Sequence, residues 1–123
     1  MKTEMPMTMS MERTPAMQRC MDDCCHCMTM CMETMTYCMT KTMSMQMMSM
    51  LQDCADMCQL AARCMMRFSS MSPRMCGMCA EMCTTCATMC DQFSNDKMMM
   101  RCAEMCRRCA ECCKTMAHAT AVA

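Results

Sequence analysis

An all-α fold, an antiparallel up-down-up-down four-helix bundle with a cysteine-lined interior, is what this sequence predicts, on three observations. Its 123 residues hold one glycine and three prolines, so little interrupts long helical runs. Its 19 cysteines recur at spacings of three and four, the step of a single helical face. The ordinary core formers are nearly absent, with two leucines, one valine and no isoleucine against 30 methionines, 19 cysteines and 12 alanines. Any interior must therefore be built from thiols, thioethers and methyl groups.

Taken in order, residues 1–14 read as a Met-rich N-terminal arm, because MKTEMPMTMSMERTP alternates methionine with polar residues and carries two prolines. The bundle domain follows over 15–118, with helices expected at about 15–41, 44–69, 73–91 and 95–117. The first helix carries Cys20, Cys24, Cys27, Cys31 and Cys38 on one face, with Met35 expected to fill the missing turn. The second has fewer thiols, its stripe running Met47, Leu51, Cys54, Cys58, Ala61 and Met65.

The third, within MCGMCAEMCTTCATMC, gathers Cys76, Cys79, Cys83, Cys86 and Cys90 in one narrow arc at about 100° per residue. Glu81, Thr84, Thr85 and Thr88 fall opposite, so the face to be buried is thiol. The fourth repeats the arrangement with Cys102, Cys106, Cys109 and Cys113 against Glu104, Arg107, Arg108, Glu111 and Lys114. Between helices, SSMSP suggests Ser72 as N-cap with Pro73 at the first helical position, and DQFSND suggests Ser94 or Asn95 as the next cap. Connections this short make successive helices antiparallel neighbours.

Charge and hydropathy exclude several classes of partner. Twelve basic and twelve acidic residues cancel without a long run of one sign, so no nucleic-acid partner is expected. No transmembrane span appears, and so no membrane partner. The N-terminus lacks the unbroken apolar stretch of a signal peptide, which predicts a cytoplasmic protein, although an exported protein stripped of its leader would look the same. The odd cysteine count and the lack of Gly- and Pro-rich loops argue for reduced thiols rather than a disulfide scaffold.

Seven CxxxC pairs stand in register: 20/24, 27/31, 54/58, 79/83, 86/90, 102/106 and 109/113. Side chains four apart on a helix have Cβ atoms about 5–6 Å apart, so two thiolates can grip one soft ion between them. Cu(I) suits thiolate and thioether ligands at low coordination number, whereas zinc asks for four ligands in a tetrahedron. Multiple Cu(I) ions are thus the expected cargo, with Zn(II) or Cd(II) sequestration and a purely structural or engineered Met-rich bundle as alternatives. Cys25, Cys64 and Cys112 fall off the stripes and read as packing or subunit contacts; His26 and His118 read as surface residues. No cysteine has a Cys–His catalytic setting, so no enzyme is predicted.

Methionine clusters at 43–50 and 98–100 belong to the same end of an antiparallel bundle, where Met35, Met39, Met43, Met47, Met48 and Met98 are candidate entrance ligands. Thioethers need no deprotonation and hold Cu(I) less firmly than thiolates, which suits entry and release. Methionine is equally an adaptable core filler, and both readings stand for these positions.

LQDCADMC at 51–58, CAEMC at 79–83 and 102–106, and CRRCAECC at 106–113 resemble the bacterial copper storage proteins, over about residues 17–117. That resemblance implies a four-helix bundle binding many Cu(I) ions mainly through CxxxC pairs, an entrance at one end using Met or His, and a homotetramer. The sequence departs from the family in carrying Met where such bundles usually carry Leu, Ile or Val. On this basis the function expected is storage and buffering of Cu(I), with about nine ions if 19 thiolates bind in pairs.

Overall fold

A computed structural model describes residues 12–122, with side chains described through residue 118. Helix α1 spans Pro15–Met39, α2 Met45–Met66, α3 Ser72–Cys90 and α4 Lys97–Val122, with a short 3-10 turn at Asp91–Phe93. Helix α1 packs on α2 and α4, and α3 packs on the same two; among the described residues the diagonal pairs bring no Cα atoms within 8 Å. This is the up-down-up-down ring of four. One end, here the bottom, holds connections 40–44 and 91–96; the other, the top, holds residues 12–14 and the connection 67–71.

The connections explain where the helices stop. Lys41 and Met43 amides both bond the Cys38 carbonyl, at 3.0 and 3.4 Å, with Thr42 between them at φ 55°. At the top, Phe68 at φ 54° sits between bonds from Phe68 N–H to the Met65 carbonyl and from Ser69 N–H to the Cys64 carbonyl. Both are left-handed helix terminations of the kind usually given to glycine. With no glycine at either place, these stops fall two or three residues earlier than the sequence suggests.

Helix starts use short polar side chains. Thr14 and Ser44 hydroxyls accept the Met17 and Met47 amides at 3.1 Å, with Pro15 opening α1. The other two caps differ from expectation. Asp96, not Ser94 or Asn95, caps α4 by accepting the Met99 amide at 3.1 Å, because the 3-10 turn carries the chain past Ser94. Ser72 lies inside α3 with its hydroxyl buried and without a partner, while Ser69 accepts the Met71 amide at 3.1 Å.

A strict heptad seam runs along every helix. Residues 20, 24, 27, 31, 34 and 38 are buried on α1, and 47, 51, 54, 58, 61 and 65 on α2. On α3 they are 72, 76, 79, 83, 86 and 90, and on α4 99, 102, 106, 109, 113 and 116. The missing turn on α1 is filled by Thr34, fully buried, and not by Met35, which is half-buried. Thr34 lies seven residues from Cys27 and fourteen from Cys20, so the left-handed coil keeps it on the seam while Met35 drifts to the flank. Buried Ala55, Ala62, Ala80, Ala87, Ala103 and Ala110 edge the seams, and their small side chains let neighbouring helices approach closely.

The expected arm lies outside the described residues up to position 11. Its last residues are held at the top: Arg13 donates to the Met66 carbonyl at 3.1 Å and its guanidinium stacks over the Phe68 ring at 4.8 Å. At the bottom, the Tyr37 hydroxyl donates to Asp96 at 2.5 Å, tying the end of α1 to the start of α4. That bond lowers the Asp96 pKa and raises that of Tyr37. No helix among the described residues is long and apolar enough to cross a membrane.

Candidate metal centre

All sixteen cysteines expected as ligands point into the bundle and are fully buried: Cys20, Cys24, Cys27, Cys31 and Cys38; Cys54 and Cys58; Cys76, Cys79, Cys83, Cys86 and Cys90; Cys102, Cys106, Cys109 and Cys113. None of the nineteen cysteines is in a disulfide. The heptad seams place these thiols, because every seam position of each helix faces the common axis and most of those positions are cysteine.

Their sulfurs touch from one end of the tube toward the other. Near the top, Cys113 lies 3.6 Å from Cys20 and 3.5 Å from Cys24. In the middle, Cys58 lies 3.7 Å from both Cys79 and Cys83 and 3.9 Å from Cys109, and Cys79 lies 3.8 Å from Cys83. Cys54 also meets Cys83, at 3.7 Å, and Cys106 meets Cys27 and Cys31 at 3.8 and 3.9 Å. Although α2 and α4 are diagonal, Cys58 and Cys109 meet, so thiols span the axis at this level.

The sulfurs also form quartets whose members all lie within 4.8 Å of one another. Cys24, Cys79, Cys109 and Cys113 make one; Cys27, Cys54, Cys58 and Cys83 another; Cys31, Cys86, Cys102 and Cys106 a third. Each takes sulfurs from three helices, a grouping that spacing along one helix cannot reveal.

So dense a column cannot ionise as independent thiols. Cys54 is held well below the usual thiol range by donors Cys106, Cys27, Cys31 and Cys58. Cys79 falls to about 3: the bond with Cys109 opposes ionisation, but those with Cys113, Cys24 and Cys58 outweigh it. Cys58 and Cys113 are pushed up, each first by its bond to Cys109, because a thiol already donating to a neighbour gives up its proton reluctantly. Cys76 is pushed up to about 12: the bond with Cys113 favours its thiolate, but Cys20 and burial outweigh it. Burial raises Cys38, helped by the charge of Cys102. The column thus favours a few thiolates, each solvated by neighbouring thiols, until a cation compensates further charge.

At the bottom the thiols give way to thioethers. The Met99 sulfur lies 3.8 Å from the Cys38 thiol, and Met99 is fully buried. Sequence reasoning noticed the 98–100 cluster but singled out Met98, which is half-buried; continuing the α4 heptad back from Cys106 would have found Met99. Of the other candidate entrance residues, Met47 is buried beside this layer, Met35, Met43 and Met48 are half-buried against the core, and Met39 is 64% exposed.

The off-stripe cysteines divide. Cys64 is buried, with the Arg67 guanidinium 3.8 Å from its sulfur. Cys25 and Cys112 are half-buried on the outer flanks. His26 and His118 are exposed.

A straight tube of buried, reduced thiols walled by four helices defines a soft-metal-binding bundle. The chain belongs to the copper storage protein family, which it matches over residues 13–118. It resembles a crystal structure of a protein from Nitrosospira multiformis at 34% identity and a TM-score of 0.78, covering 85% of this chain and 96% of that one. The Cu(I)-bound copper storage protein BsCsp3 is 31% identical with a TM-score of 0.75, over 83% of this chain and 98% of that one. Apo copper storage protein 3 from Bacillus subtilis is 32% identical with a TM-score of 0.74, over 80% and 95%. A comparison with curated proteins finds no match.

Proposed function

We propose that this chain stores and buffers multiple Cu(I) ions on its sixteen inward cysteines, without catalytic turnover, and admits and releases them through the bottom methionine layer. The observation that carries this is the set of fully buried thiols on the bundle axis, which contact one another at 3.5–3.9 Å and gather into overlapping quartets within 4.8 Å. Thiols kept dry and unpaired by disulfides are soft ligands waiting for a soft ion. The Cu(I)-bound state of the BsCsp3 relative supports copper as that ion. Exposure of both histidines supports a storage role over thiol chemistry. A reducing cytoplasm and a homotetramer complete the proposal, the first on the reduced thiols and the second on family resemblance.

The residues would act in two groups. Met47 and Met99 present thioethers that take Cu(I) without releasing a proton, and Cys38, in contact with Met99, receives it at the foot of the thiol column. Deeper cysteines bind as thiolates, so each step inward expels protons. With two thiolates per ion, sixteen cysteines hold about eight ions. Anaerobic Cu(I) titration against a strong competing chelator counts them; fewer than two tight equivalents refutes storage. The quartets favour a second reading, since four sulfurs within 4.8 Å also suit tetrahedral Zn(II) or Cd(II). Displacement of Cu(I) by either ion under matched buffering decides for that reading.

A further inference from the structure

One thiol reaches both the column and the surface. Cys112 is half-buried on α4 beside the core thiol Cys20, and its own thiol donates to the Cys109 carbonyl at 3.2 Å. Its outer side opens into a cleft of about 270 Å³ between α1 and α4, beside Met116 near the top and at the opposite end from the bottom methionine layer. Arg19 and Arg108 line this cleft together with Asp23 and Glu111, two cations and two anions around one sulfur. Asp23 is the half-buried member and sits beside Cys112 and Arg108.

We infer that this cleft is a side port for a small zwitterionic thiol of the glutathione class, which exchanges Cu(I) with the column through Cys112. The inference rests on the proposed Cu(I) storage. Two guanidinium groups match the carboxylates of such a peptide, and the two side-chain carboxylates match its ammonium group. Ala16 and Met116 offer a short apolar wall to the ligand's methylene stem, and a thiol carried by it arrives at a thiol.

The exchange is redox-neutral, and copper stays Cu(I) throughout. The Cys112 sulfur bonds the ion as the carrier's sulfur–copper bond breaks, and the Cys112 proton leaves on the carrier thiol. Cys20 then takes the ion from Cys112, and its proton returns to the Cys112 sulfur. Run backward, the same two steps unload the column to free carrier. Cys20 touches Cys113 at 3.6 Å, and Cys113 touches Cys24 at 3.5 Å, so the ion is already on the main column after the second step.

The test is stopped-flow transfer of Cu(I) from its anaerobic glutathione complex to the whole metal-free chain, followed by thiolate-to-copper absorption. Cys112→Ser is expected to slow transfer about tenfold, as expected for losing one charge-assisted or ligand contact on the path. Its final capacity should stay within one equivalent of the parent. The double variant Arg19→Glu, Arg108→Glu should raise the glutathione-complex concentration for half-maximal rate about tenfold, while transfer from a neutral 2-mercaptoethanol complex is unchanged. Parental rates in both variants, at full capacity, overturn the port. Loss of tight Cu(I) binding by the parent chain itself instead overturns storage, so the two failures are distinguishable.

Discussion

Replacing Cys79, Cys83, Cys86 and Cys90 together by alanine removes four of sixteen fully buried sulfurs from one wall of the tube. Under pairwise binding the four make up two CxxxC grips, so capacity should fall from about eight Cu(I) to about six. The remaining walls keep their grips, since Cys54 and Cys58 still stand one turn apart and Cys109 still contacts Cys24 at 3.8 Å. Each lost sulfur costs on the order of 1 kcal/mol of burial and packing, and the total of about 4 kcal/mol lies below the stability of a typical domain. Alanine is preferred to serine because four buried hydroxyls would need partners that a column of thiols supplies poorly. Circular dichroism verifies the fold, and anaerobic titration against a competing chelator counts the ions. An unchanged capacity in a folded variant refutes sites in the core. Complete loss in a folded variant refutes pairwise binding and shows that the quartets load as a unit.

Copper loading should raise the melting temperature by about 10 °C or more, because a single site at a hundred times its dissociation constant adds about 2.7 kcal/mol. Calorimetry of apo and loaded protein checks it, and equal melts with tight copper bound would place the ions outside the folded core. Raising the pH should destabilise the apoprotein. Cys76, held up to about 12, and Cys38, Cys58 and Cys113, also raised, contribute stability that is complete below the ordinary thiol value of 9.0 and lost as pH climbs through their folded values. Melts at pH 8 and pH 11 should therefore differ, the alkaline one lower; coincident melts would show that thiol burial carries no linkage. Met99→Leu should slow Cu(I) uptake while leaving capacity and helicity intact, because Met to Leu conserves volume and costs less than about 1.5 kcal/mol. An unaltered uptake rate would make Met99 a packing residue only.

Most of the architecture was legible because its signals are periodic. Four stripes of cysteine at steps of three and four survive any uncertainty about helix ends, and each became a seam. Details that depend on a single backbone angle were not legible. Nothing in the residue types of Thr42 or Phe68 announces a left-handed termination, and Asp96 caps α4 only because a 3-10 turn intervenes. The site was legible by helix and illegible across helices. Spacing brings Cys79 near Cys83, yet the shortest contact in the column, Cys24 with Cys113, joins residues 89 apart. Its register depends on how far each connection lets one helix slide along the next. Met35 and Thr34 show the same limit within a helix: a period of 3.6 leaves them almost equivalent, and only the supercoil at 3.5 selects Thr34.

The heptads also give methionine a specific place. Met47 and Met99 occupy the bottom turn of their seams beside Cys38 and Cys90, and Met65 and Met116 the top turn beside Cys20 and Ser72, so each end layer of the thiol column carries two thioethers at positions that leucine would otherwise fill. Leu51 occupies the next seam position above Met47, showing that leucine is accepted in this core. Methionine specifies packing less well than leucine, and its selection at the closing layers therefore calls for a compensating property. On the proposed function that property is a ligand whose charge does not change. An ion crossing a layer of Met47 and Met99 meets soft donors without waiting for a buried thiol to lose its proton, and the first proton is released only when it reaches Cys38. The entry step should therefore be nearly independent of pH between 6 and 8, while the slower settling into the column should quicken as pH rises. Biphasic uptake with only the second phase pH-dependent supports this division of labour, and a first phase that tracks pH as steeply as the second refutes it.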